Sequence, residues 1–112
     1  MSRTAKVRLF LGEGEFDFAL RIDELIELEQ LTGDGIGMTH SRLSSGAYRI
    51  ADLRGVIRLG LIGAGADKKE AHDLTTRHVK EGYLADCVLV ARAVTGAAIV
   101  GSEDEPMGEG LG

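Results

Sequence analysis

Glu29 is the residue whose position most demands a chemical explanation. Around it Ile22, Leu25, Ile26 and Leu28 recur at helical spacing while Asp23, Glu24, Glu27 and Gln30 point away. At about 100° per residue, Glu29 itself projects near the middle of that apolar stripe. A carboxylate so placed has to be paired, protonated or turned toward a partner protein, because an unpaired buried charge is costly. Its natural counterions are Arg54 and Arg58, one turn apart on a later helical stretch. A Glu that curls to the edge of the core and meets an arginine is the ordinary outcome. A partner-facing acid is the sharper alternative, and a ligand-binding or enzymatic use of Glu29 with Arg54 or Arg58 is a third.

The other reactive residues do not assemble into a site. His40, Ser41 and Ser44 lack a G-x-S-x-G elbow and a fixed acid partner, so capping and solvation are their expected roles. His72 and His78 do not share a helical face, and H-E-x-x-H and C-x-x-C patterns are absent. The Gly12-Glu13-Gly14 run is followed by no helix and carries no lysine at the place a phosphate loop needs. Cys87 is the single cysteine and sits in the apolar run CVLVA, where a buried thiol in a reducing, intracellular setting is expected. No catalytic, cofactor or metal residue is therefore assigned.

Composition narrows the function further. The chain has 112 residues, enough for one core and too few for two. Its net charge of -5 argues against nucleic acid, whose phosphates call for Lys and Arg. The apolar run near the N-terminus is too short for a secretory signal, and the longest apolar stretch, Leu84 to Val100, is interrupted by Asp86 and Arg92, which argues against a membrane span. With three Phe, two Tyr and no Trp, the core has to come from aliphatic residues. The 16 glycines imply close backbone contacts or mobile loops.

The elements that must position these residues are legible from period and punctuation. Val7, Leu9 and Leu11 alternate with Lys6, Arg8 and Phe10, and Phe16, Phe18 and Leu20 alternate with Asp17, Ala19 and Arg21. Joined by Gly12 to Glu15, they predict an antiparallel hairpin after a loose end at Met1 to Thr4. The period then changes to helical over Ile22 to Gln30, with Asp23 and Glu24 in the first turn and Gly33 as C-terminal cap. A short helix is expected from a Thr39 cap through Ser44, ended by Gly46.

A longer helix follows from Ile50 to Gly63, with Ile50, Leu53, Val56, Ile57, Leu61 and Ala64 inward. Gly55 and Gly60 within it mark sites of close approach. Leu59 and Ile62 lie off that stripe, as a second contact face for the last helix or for another subunit. Asp67 and Glu70 form a capping box for a helix from Lys68 to Lys80, with Ala71, Leu74 and Val79 inward. Tyr83 to Val100 is expected to be the central helix, covered on several sides. The acidic, glycine-rich stretch from Gly101 to Gly112 reads as a flexible tail on a single globular domain, residues 1–100. The expected fold is α+β, an N-terminal β-hairpin packed on a mainly helical bundle of four to five helices.

This order carries a resemblance. A hairpin followed by R-I-D-E-L-I-E-L-E, then S-S-G-A-Y, then I-A-D-L-R-G-V-I-R-L-G-L-I-G-A-G is similar to the small tail proteins of gene transfer agents and related phages, a family assigned to the tail assembly chaperones and also labelled tail tube protein. It covers about Val7 to Val94 and leaves the acidic tail outside. The resemblance implies a non-enzymatic role in the host cytoplasm. The chain would bind the tape measure protein, with the tail tube protein as a further partner, and keep long hydrophobic helices soluble until tube subunits polymerise. Of the two labels, chaperone fits better, because a tube subunit needs extensive sheet to close a ring and this chain offers one convincing hairpin. The surface candidates for such a partner, or for a second copy of the chain, are Glu29, Arg54, Arg58, Leu59 and Ile62.

Overall fold

A computed structural model describes residues 3–103. The first strands are β1 (Arg3–Thr4), β2 (Val7–Leu11) and β3 (Gly14–Phe18). β2 and β3 pair antiparallel with Val7 opposite Phe18 and Leu9 opposite Phe16. Gly12, at φ 61°, opens the two-residue turn between them, the backbone state that tight hairpins require. One face of the hairpin turns Leu11 and Phe18 into the core. On the other, Arg8 bonds Glu15 and Asp17 at 3.3 and 3.0 Å.

Five helices follow: α1 (Ile22–Thr32), α2 (Ile36–Ser45), α3 (Ile50–Gly63), α4 (Lys68–His78) and α5 (Leu84–Val100). The architecture is the expected α+β one, a small antiparallel hairpin followed by five helices. Gly33 and Gly46 close α1 and α2 in the left-handed conformation, at φ 80° and 88°. Asp67 caps α4 by accepting the Lys69 amide at 2.9 Å. The start of α2 differs from expectation. Gly35, not Thr39, precedes the helix, and its carbonyl accepts the Met38 and Thr39 amides. Thr39 is fully buried one turn inside, because the half-buried Ile36 anchors an extra turn against the core.

The central helix is α3 rather than α5. It packs against α1, α4, α5 and β3, and Leu53, Val56, Ile57, Leu59 and Leu61 are all buried on it. Its glycines make this possible. A β-carbon at Gly55 would meet Leu28, and one at Gly60 would press on Phe18 and Val94. At Gly63 the intruding atom would overlap the Ala19 carbonyl oxygen. The link from β3 to α1 is hooked onto the same stretch, since the Ala19 amide donates to the Gly60 carbonyl at 2.9 Å. α5 packs on α2, α3 and β2, burying Cys87, Val90, Ala91, Val94 and Thr95 and leaving Leu89, Ile99 and Val100 exposed.

The chain ends also depart from expectation. Arg3–Thr4 is a strand, paired antiparallel with β4 (Ser102–Glu103). The Ser102 hydroxyl lies within hydrogen-bonding distance of the Thr4 and Lys6 carbonyls, at 3.2 and 2.8 Å. The stretch read as a tail thus begins as a strand, and residues 104–112 lie outside the described residues.

Candidate functional site

The expected partner residues separate into three environments. Glu29 is exposed on the outer side of α1 beside Ile22 and Ile26, and its carboxylate has no hydrogen bond or ion pair among the described residues. It meets neither Arg54 nor Arg58. The reason is a rotation of the helix: the inward face of α1 carries Glu24, Leu28 and Thr32, which leaves Ile22 and Ile26 69% and 52% exposed. Arg58 reaches Glu27 at 3.9 Å, while exposed Arg54 has no carboxylate within ion-pair distance among the described residues. Leu59 is 1% exposed and belongs to the core, so it offers nothing to a partner. Ile62 is half-buried against that core.

The acids that do enter the protein are Glu24 and Asp52. Each is the third residue of its helix, and each accepts the backbone amide of the arginine just before that helix. Arg21 donates to Glu24 at 3.0 Å and Arg49 to Asp52 at 2.8 Å. Side chains complete both pairs. Arg21 binds Glu24 through Nε and Nη2 at 3.1 Å each. Arg42 binds Asp52 through Nε at 2.9 Å and Nη2 at 2.7 Å. Arg42 also reaches Asp34 at 2.7 Å, and Arg49 bonds the Thr32 carbonyl at 2.9 Å.

One cluster thereby ties the α1–α2 corner to the start of α3. Burial alone would push the Asp52 carboxyl up, but the bonds from Arg42 and Arg49 outweigh it and hold Asp52 below its ordinary value. Arg42 is raised in turn, chiefly by its bond to Asp52. A sequence signal for these pairs existed in R-I-D-E-L at residues 21–25 and R-I-A-D-L at 49–53. Both place arginine, isoleucine, an acid and leucine at the same spacing over a helix start.

The remaining polar groups form no reactive constellation. His40 Nδ1 is 2.6 Å from the Thr95 hydroxyl, which donates to the Ala91 carbonyl. Neither Ser41 nor Ser44 is its partner. His78 packs beneath the hairpin turn with Nε2 4.0 Å from Glu13. The Cys87 thiol donates to the His78 carbonyl at 3.3 Å, and burial pushes its pKa up. Among the described residues no three His, Cys, Asp or Glu side chains cluster as metal ligands. A shallow trough runs along α3. Leu31, Ile50, Arg54 and Arg58 line a recess of about 290 Å³, and Ile50 and Arg54 are shared with a second of about 420 Å³ that extends to Val79 and Leu84.

The family described as "Phage tail tube protein, GTA-gp10" matches residues 4–101. The chain belongs to this family. The match extends the resemblance at both ends, taking in Thr4 of β1 and Gly101 after α5. The chain matches no curated protein and no solved structure. As a phage or gene transfer agent tail protein, it carries within the family region both Arg-acid pairs, the α3 trough and the outer face of α5. No described helix is long and apolar enough to cross a membrane.

Proposed function

We propose that this tail protein is an assembly chaperone that binds the tape measure protein in the host cytoplasm while the tail is built. The observation that carries the reading is the outer side of α5. Leu89, Ile99 and Val100 stay exposed there on a helix whose other side is in the core. Exposed Arg92 lies between Leu89 and Ile99 on that side, and such a largely apolar face on a rigid helix packs against another helix by ridges and grooves, which suits a partner made of long apolar helices. The sheet content supports the same choice over a tube subunit, since the described residues hold only two separate two-stranded pairs. Its role in this reading is binding, with no chemical step.

A second reading, a structural component of the tail tube, is favoured by the family's description. Two measurements separate them. Full-length chain should retain co-expressed tape measure protein on an affinity column, and Leu89→Asp with Val100→Asp should lower that recovery by about tenfold, as loss of central apolar contacts does. Quantitative mass spectrometry of purified particles should find the chain absent or scarce. Abundance comparable to the main tail subunit, with no retention of the tape measure protein, would establish the tube reading instead.

A further inference from the structure

α1 offers solvent two unlike faces that fit each other across two molecules. Its outer stripe is apolar and acidic, with Ile22, Ile26 and Glu29 at helical spacing. Leu31, nine positions after Ile22 and thus on about the opposite side of the helix, walls the α3 trough together with Ile50, Arg54 and Arg58. We propose that this trough receives the α1 outer stripe of a second copy of the chain, with Ile22 and Ile26 against Leu31 and Ile50 and with Glu29 paired to Arg54.

Charge complementarity selects this occupant. On a chain of net charge -5, the trough concentrates Arg54 and Arg58, and Arg54 has no acid partner among the described residues. Glu29 is the matching acid without an ion-pair partner among the described residues, one turn beyond the exposed Ile22 and Ile26 on the same side of α1. Glu27, its neighbour, is already met by Arg58 at 3.9 Å. Anchors at i, i+4 and i+7 are the pattern by which a helix lies in a groove. The donor stripe and the acceptor trough occupy different sides of the molecule, so one copy uses both at once. The contact is heterologous, and repetition gives a ring or a head-to-tail filament. The proposal is independent of the chaperone reading, which rests on α5.

Sedimentation of the full-length chain over a concentration series tests it, with helix content of every variant checked by circular dichroism. Wild type should self-associate reversibly. Glu29→Arg, Arg54→Glu and Ile26→Asp should each weaken association by about tenfold or more. The double variant Glu29→Arg with Arg54→Glu should recover it, because the pair is re-formed with its charges exchanged. A wild-type monomer at every concentration up to about a millimolar, single variants that associate as wild type, or a double variant as weak as the singles would each overturn the proposal. None of these results would bear on retention of the tape measure protein.

Discussion

At the scale of single residues, the chain invests its buried charge in holding helix starts together. Asp52 is fully buried and bound by Arg42, with the Arg49 amide completing the set. Removing the carboxylate leaves the Arg42 guanidinium, 14% exposed, with Asp34 as its remaining acid and the Arg49 amide without its acceptor, so Asp52→Ala should cost about 1–3 kcal/mol in urea unfolding. The pH dependence has a definite sign. Because the folded-state value of Asp52 is depressed, its contribution is fully present above the unfolded value of about 3.9. It is lost as pH falls through the lower folded value. Urea midpoints from about pH 6 to pH 2 should fall steeply in wild type and less steeply in Asp52→Asn. Equal slopes would show that another carboxylate governs acid unfolding.

At the scale of elements, most of the fold is legible because period and punctuation agree. α3 runs from Ile50 to Gly63 and α5 ends at Val100 as the pattern predicts, and Ala71, Leu74 and Val79 face inward on and just after α4. What the pattern misplaces is rotation. On α1, the four aliphatic residues define a stripe, yet the protein buries the side carrying Glu24, Leu28 and Thr32. Arg21 neutralises Glu24 and the Thr32 hydroxyl bonds the Leu28 carbonyl, so polar side chains inward cost little.

A hydrophobicity count cannot see such local satisfaction, and for that reason it set Glu29 in the apolar stripe, paired with an arginine at the core's edge, and missed Glu24 and Asp52. The difference is measurable. Ile22→Ser and Ile26→Ser should each change stability by no more than about 0.5 kcal/mol, while Leu28→Ala should cost about 2–5 kcal/mol. Comparable losses at all three would place the inward face where the stripe predicts. Likewise α3 became the centre because Gly55, Gly60 and Gly63 let neighbours approach it, a property of contacts that lie far apart in sequence.

At the scale of the whole molecule, the two ends of the described chain close on each other. The β1–β4 pair is short, and among the described residues it joins Arg3 and Thr4 to Glu103 and Ser102. Truncation after Gly101 should raise amide exchange at Arg3 and Thr4 while leaving the core residues of α3 as protected as before. Loss of protection along α3 would instead make the clasp part of the cooperative unit.

That closure has a practical corollary for engineering. With Arg3 opposite Glu103, a short linker can join the two in a chain trimmed to residues 3–103, and a circular permutant can be opened at an exposed turn such as Gly65. A reporter joined directly at Arg3 or Glu103 leaves from the same pole, beside Val100, whereas Leu84 at the far end of α5 borders the trough. The 17 residues of that helix set the two about 25 Å apart, so labels fixed at the pole stay clear of the trough and report on self-association, while they crowd the Val100 end of the α5 face.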